Sequence, residues 1–414
     1  MDTVRTDVLR ARLEGLETEI IQQDICDVLA TLRYPVLRLP PEITSEIFVS
    51  SLPQHFEFFA DPDNVPLVLT RICRAWRTIA LSTPRLWNSV CLMFGSGDED
   101  RDMKRISMLE NWLSRATNQP LFMRLISLNS DGPPMESEKK LAAILARHSQ
   151  QWRDVILNLP FHQLPSFRSS ASFPQLQRLG ISMSQNTGAV DLLPIAVWRD
   201  VPALCHVSLL DGFLPSDVAL PWRQLLDILS HVTLPALRVL NLDEVYFKPH
   251  QFSPLFIFLS RSQCQLSDLS IRFGDLSSFP TSKAMQLFDR LPSLRSLTLG
   301  RANTYNSLAV FQNLRHASFI PRLESLVVTE YWNSDTEKPR DYGKTTHAMF
   351  DHLADALSMR WNSPNAELSQ LARFILKSNY TLKESPSAEI IRRLELLSTQ
   401  GMELCIRTGT QSWI

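Results

Sequence analysis

The amino-acid sequence predicts an α+β protein: an N-terminal helix, a small all-α domain, and then an irregular α/β repeat array filling the larger C-terminal part. Three observations carry this reading. Apolar residues between Leu39 and Val90 fall at helical spacing around two tryptophans. Leu9, Leu13, Leu16 and Ile20 follow the 4-3-4 spacing of a coiled-coil seam. From Pro120 onward one short apolar pattern recurs at steps of 28 to 33 residues.

The first element is a helix over residues 4–33. Its stripe continues loosely through Ile25, Val28 and Leu32, and Tyr34-Pro35 ends it, because the residue before proline leaves the helical region. Two heptads are too few to assert an oligomer. The favoured reading is a helix that folds back on the next domain, with a short dimeric coiled coil as the alternative.

The stretch from Leu39 to Val90 follows. Leu39-Pro40-Pro41-Glu42-Ile43 opens a helix, with proline where a missing N–H costs nothing and Glu42 in the positive first turn. Ile43 and Ile47 share a face, with Phe48 beside them. After the break at Asp61-Pro62-Asp63-Asn64, a second helix is expected from about Val65 to Leu81, with Val68, Ile72, Ala75, Trp76, Ile79 and Ala80 as its stripe. Arg71, Arg74 and Arg77 lie away from that stripe. Ser82-Thr83-Pro84 stops the helix and starts a short turn carrying Leu86 and Trp87.

Leu-Pro-x-Glu-Ile, Ile-Phe, Cys-Arg-x-Trp-Arg-x-Ile-Ala and Thr-Pro-x-Leu-Trp thus appear in order within one domain length. The run resembles an F-box. The family implies docking onto the small Skp-type adaptor of cullin–RING ubiquitin ligases. By this resemblance Leu39, Pro40, Pro41, Ile43, Ile47 and Phe48 would face the adaptor. Ile72, Trp76, Ile79, Leu86 and Trp87 would form the core of the box. The sequence departs from the family in the long segment Ser50–Asn64, which carries Phe56, Phe58 and Phe59.

A charged break at Asp98–Asp102 leads to a helix around Met103–Ala116, read as a linker between box and array. In the array, Phe173-Pro174-Gln175-Leu176-x-x-Leu179-x-Ile181 is repeated from Val201-Pro202, Leu234-Pro235, Leu291-Pro292 and Ile320-Pro321, with a proline-less copy at Leu266-x-x-Leu269-x-Ile271. Weaker strands, Phe122–Leu128 and Val155–Leu159, precede them. Amphipathic helices are expected at Trp222–Val232, Phe252–Ser260, Lys283–Leu291 and Leu308–Ala317. This half resembles a leucine-rich-repeat array. Proline is expected to initiate each strand, leucines to pack inward, and a helix to close each layer. The Asn or Cys usual three residues past the last apolar position is replaced by Ser184, Gly212, Val245, Gly274, Ala302 and Tyr331. An irregular solenoid is therefore expected. After a polar loop at Tyr331–Lys344, a helix at about Thr346–Trp361, a strand around Leu371–Lys377, a helix between Ser387 and Gly401, and a strand at Glu403–Arg407 complete the chain.

Composition narrows the function. A net charge of −1 argues against nucleic acid or an anionic membrane as a partner, and only 12 glycines leave little room for phosphate-cradling loops. The six cysteines form no close pair, which reads as reduced thiols in a cytoplasmic or nuclear protein. With no signal-like segment and no long apolar run, the chain is expected to be neither secreted nor membrane-spanning. His347 and His352 lie five apart on an expected helix, so they point away from each other, and no metal is expected. No nucleophile elbow, Walker loop or zincin motif occurs, so neither a catalytic residue nor a cofactor is expected.

The x positions of the repeat leave the concave sheet face in three rows. The first holds Arg178, His206, Val239, Asp268, Ser296 and Ser325, and the second Gly180, Ser208, Asn241, Ser270, Thr298 and Val327. The third holds Ser182, Leu210, Asp243, Arg272, Gly300 and Thr329. Of these, Arg178, His206, Asn241, Asp243, Asp268, Arg272 and Thr298 are the candidate substrate contacts. The expected organisation is an N-terminal helix (1–37), an F-box domain (38–93), a linker helix (94–119) and a leucine-rich-repeat-like solenoid (120–414). The two resemblances imply a non-catalytic substrate-recognition subunit of an SCF-type ligase, bound to a Skp-type adaptor and, through it, a cullin. The alternative is an adaptor-bound scaffolding protein with no degradation role.

Overall fold

A computed structural model of the chain describes residues 12, 21–22, 35–52, 63–95, 97–128, 135–160, 172–184, 201–211, 233–247, 252–273, 281–302, 304–330, 342–363, 368–379 and 386–414. The helix expected over 4–33 lies almost wholly outside these residues. The helix expected at Trp222–Val232 and the segment carrying Phe56, Phe58 and Phe59 also lie outside them. The fold is mixed α/β. It divides into two compact units, Met1–Val90 with Asn111–Gln119, and Cys91–Glu110 with Pro120–Ile414. The stretch read as a linker, 94–119, is thus shared between the two.

The first unit opens with a 3-10 turn, Pro35–Arg38, and helix α1, Pro41–Ser50. Proline at its first position is pre-set for the helix. Thr44 and Phe48, four apart, make its buried face. The long second helix expected over 65–81 is two pieces, α2 (Leu69–Ile72) and α3 (Arg74–Ser82). Cys73 sits between them in extended backbone, φ −155° and ψ 170°, and its sulfur accepts the Trp76 N–H at 3.5 Å. A side-chain cap outside the helix has replaced one more helical residue. That break takes Ile72 out of phase with Ile79, and Ile72 is 55% exposed rather than in the core.

Trp87 is the centre of this unit. It is fully buried, and its indole N–H donates to the Ala80 carbonyl at 2.8 Å. Trp112, near the end of helix α4 (Glu99–Ala116), meets it edge-on at 4.9 Å, and the Arg115 guanidinium lies 4.5 Å over its ring. Trp76 is only half-buried. It packs edge-to-face on Phe48 at 4.9 Å, with its indole N–H unsatisfied among the described residues.

Among the described residues, the second unit contains most of a sheet of twelve strands in strict sequence order. Its strands are β1 (Ser89–Phe94), β2 (Leu121–Ser127), β3 (Trp152–Pro160), β4 (Arg178–Ser184), β5 (His206–Asp211) and β6 (Val239–Phe247). β7 (Asp268–Phe273), β8 (Ser296–Ala302), β9 (Ser325–Glu330), β10 (Arg373–Ser378), β11 (Glu403–Thr408) and β12 (Gln411–Ser412) complete it. From β2 to β11 every pairing is parallel. Helices α5 (Glu136–Arg147), α6 (Phe252–Ser262), α7 (Thr281–Asp289), α8 (Thr304–Leu314), α9 (Tyr342–Trp361) and α10 (Ala388–Thr399) lie between strands in the chain. α9 begins inside the stretch read as a polar loop. Ser387 caps α10 by accepting the Ile390 N–H at 3.4 Å, and Gly401 just beyond it adopts φ +107°, as their positions suggest.

The proline of each repeat does not start a strand. In five copies the residue before it accepts the N–H of the leucine two places after it, at 3.1–3.3 Å: Phe173 from Leu176, Val201 from Leu204, Leu234 from Leu237, Leu291 from Leu294 and Ile320 from Leu323. This is a β-turn with proline at its second position, where the ring pre-sets φ. A second regularity follows the turn. The Gln177 carbonyl takes two N–H groups of the next repeat, from Cys205 at 2.9 Å and His206 at 3.0 Å. The carbonyls of Cys205, Arg238, Ser267, Arg295 and Glu324 do the same in turn. Backbone thus satisfies backbone where strands begin. Where they end, and the expected Asn or Cys is missing, the register shifts between Leu242 and Tyr246 and between Leu299 and Ala302. The short antiparallel strand β12 pairs with β11 at the end of the sheet, and no periodic pattern marks it in the sequence.

Arg360 is buried at 1% exposure with no carboxylate partner among the described residues, and burial lowers its pKa to about 10. Its guanidinium donates instead to four carbonyls in the turn after α8: Leu314 at 3.0 Å, Ile320 at 3.1 Å, His316 at 3.4 Å, and Phe319. Arg360→Leu orphans all four and should cost about 3–5 kcal/mol in urea unfolding. A loss near zero would mean water takes the guanidinium's place. In the first unit, Trp87→Ala should cost about 3–5 kcal/mol and Trp76→Ala measurably less. Equal losses would put both rings in one core.

Candidate functional site

Two surfaces emerge, one on each unit. On the first, α1 divides its side chains cleanly. Thr44 and Phe48 turn inward, whereas Ile43 and Ile47, also four apart, turn out at 51% and 48% exposure. Leu39, four residues before Ile43, is 37% exposed, and Pro40 and Pro41 are exposed too. These five residues form an apolar edge that the unit's own core does not use. Phe48 does not belong to it. At 2% exposure it is spent on Trp76, because one helical step from Ile47 rotates it onto Thr44's face. Of the expected box core, Leu86 and Trp87 are buried, Trp76 and Ile79 half-buried, and Ile72 exposed. Arg85 holds Glu46 of α1 at 2.6 Å, tying the helix to the turn that carries Leu86. Arg71, Arg74 and Arg77 are exposed. Arg71 pairs with Asp63 at 3.2 Å, and Arg77 donates to the Thr70 carbonyl at 2.6 Å.

The second surface is one face of the sheet. Parallel sheets are usually covered on both sides and read as continuous apolar runs. Here burial alternates along β2, β9 and β10, so one face is core and the other is open. Pairing sets the first row in register as Asp154, Arg178, His206, Val239, Asp268, Ser296, Ser325, Arg373 and Glu403. Gly180, Ser208, Asn241, Ser270, Thr298 and Val327 form the second row. The third row does not hold as expected. The shift after Leu242 sets Tyr246, not Asp243, opposite Arg272. An inserted stretch within β6 moves Asp243 out of line.

Asp154 and Arg373 with Glu403 extend the first row past the expected residues, and repeat periodicity alone could have located them. Arg178 pairs with Asp154, which is 5% exposed, and Arg373 meets Glu403 at 3.0 Å. Burial raises the Asp154 carboxyl above its ordinary value, against the pull of Arg178 and His206. Gly180 fits here for a local reason: a Cβ would lie 3.1 Å from Ile156 on β3. Cys205 lies at the start of this face, with its sulfur 3.2 Å from His206 Nδ1.

Among the described residues, no group of three His, Cys, Asp or Glu side chains could hold a metal ion. His352 lies beside Arg315 at 3.1 Å and Gln312 at 3.4 Å. Cys73, Cys91, Cys205, Cys264 and Cys405 are free thiols. No helix of the described residues is long and apolar enough to cross a membrane. The sequence matches no protein-family model, and no curated protein is similar to it.

The raised Asp154 pKa has a definite sign. Just above the ordinary carboxylate value of 3.8, the folded chain holds this proton more tightly than the unfolded chain does. The contribution of neutral Asp154 is therefore present at low pH and is lost as pH rises through the folded-state value. Asp154→Asn should remove that slope, so the variant gains on the wild type across this window in urea unfolding at stepped pH. Parallel stability curves would contradict the assignment.

Proposed function

We propose that the chain is a substrate-recognition subunit of an SCF-type cullin–RING ubiquitin ligase. In this reading the first unit is an F-box that docks a Skp-type adaptor, and the second is a leucine-rich-repeat-like solenoid that binds a protein substrate. The chain itself is not an enzyme. Its contribution is proximity, holding the substrate beside a charged ubiquitin carrier.

One observation carries the reading: the outward apolar edge of Leu39, Pro40, Ile43 and Ile47 on a helix whose other face is buried. Exposed apolar side chains in line on one rigid helix mark a protein contact. They stand at the positions where the motif resemblance puts the adaptor. A long open sheet face in the same chain suits a receptor, since small and charged side chains set on rigid strands give register and specificity.

Leu39→Ala/Pro40→Ala tests this directly. Losing one buried leucine from such a contact costs about 1.5–3 kcal/mol, roughly 10- to 150-fold in affinity. The double variant should lose co-purification with the adaptor while its circular dichroism and melting stay near wild type. Full adaptor affinity in that variant, measured by titration, would sink the proposal. Ubiquitin transfer to a protein held on the sheet face separates a ligase receptor from a scaffold.

A further inference from the structure

A groove of about 1000 Å³ opens beside the ends from which β7, β8, β9 and β10 start, between α6 and α7. None of the sheet-face residues discussed above lines it. Its walls combine two chemistries. Phe256 and Leu259 supply apolar surface from α6, and Arg290, Arg295 and Arg322 supply three guanidinium groups. Among the described residues no aspartate or glutamate lines it.

The arginines are not equally engaged. Arg295 meets Glu324, outside the lining, at 3.2 Å. Arg290 lies 5.2 Å over the Phe256 ring. Arg322 is exposed and has no carboxylate partner among the described residues. The chain as a whole carries a net charge of −1, so three cations around one groove are a local concentration of charge. Nothing in the lining suits catalysis, because burial raises the Cys264 thiol and keeps it protonated near neutral pH. A nucleic-acid strand would want stacking platforms, and the one aromatic ring is already faced by Arg290.

We propose that this groove binds an extended acidic peptide segment of a protein partner, its carboxylate or phosphate groups on Arg290 and Arg322 and an apolar side chain between Phe256 and Leu259. Guanidinium forks pair with carboxylate and phosphate alike, which makes the charge the shared requirement. This rests on the receptor reading and adds to it a class of substrate and a second contact away from the sheet face.

An immobilised peptide array probed with the full-length chain tests it. Each peptide holds a central leucine flanked by glutamate, phosphoserine, glutamine or lysine. Glutamate or phosphoserine members should be retained over the others, with the stronger of the two identifying the anion. Arg290→Glu and Arg322→Glu should each weaken retention by about tenfold or more. Raising salt should weaken it in the unaltered chain, a check that needs no variant to fold. Equal retention of glutamine or lysine members, or undiminished retention by folded variants, would overturn the proposal. Adaptor titration of the same samples keeps the two readings apart. Peptide failure with adaptor binding intact sinks the groove alone, and the reverse sinks the ligase reading alone.

Discussion

From β4 to β10, each strand of the C-terminal unit is set against the next by one carbonyl. The oxygen of the residue just before each strand accepts two N–H groups from the next repeat, in an unbroken run from Gln177 to Glu324. That bond pair fixes where one strand starts relative to its neighbour, and a one-residue slip would turn every leucine out of the core. A proline turn precedes it in five of the six cases, and the proline-less copy at Ser267 makes the same bond pair. By pre-setting the backbone three residues before the carbonyl, the proline helps deliver the chain to the ladder in those five copies. The side-chain ladder that the sequence lacks is therefore not needed at this edge. At the opposite edge, where no such device exists, the pairing of β6 with β7 and of β8 with β9 loses register.

Rigid register at one edge has a functional consequence. From β4 to β10 the strand starts are held to a common line, so the first row of open-face side chains is well aligned there, and the groove beside α6 and α7 lies beside the same strand starts. Rows further along each strand are less regular. A partner reading this sheet would find its most reproducible chemistry near the proline turns. Charge gathers there too, in Asp154 with Arg178 and Arg373 with Glu403 on the face, and Arg290 and Arg322 in the groove.

Much of this was legible in the sequence. Periodicity of two with a leucine every 28 to 33 residues located the strands and predicted the first two open-face rows by residue. Helical spacing located α1 and put Ile43 and Ile47 on one face of it. What escaped was set by interactions that leave no periodic trace. A single sulfur cap at Cys73 split a helix and exposed Ile72. Phe48 went inward because its angular position, not its apolar character, decided the matter. Trp112 joined Trp87 through a contact 25 residues away in sequence, and no local pattern announces such a pair. Arg360 reaches four carbonyls from the last turn of α9, and nothing in the local sequence marks that role. Asp243 was displaced by an insertion within β6 that the repeat alignment could not register.

Under the proposed function, the outward edge of α1 would be covered by an adaptor while the sheet stays free for another partner. Amide hydrogen exchange on the full chain, with and without a Skp-type adaptor, reads both halves at once. The account predicts new protection over 39–50 and unchanged exchange from β4 through β11. Unaltered exchange at 39–50 with the adaptor in excess, or protection spread along the sheet instead, would contradict it.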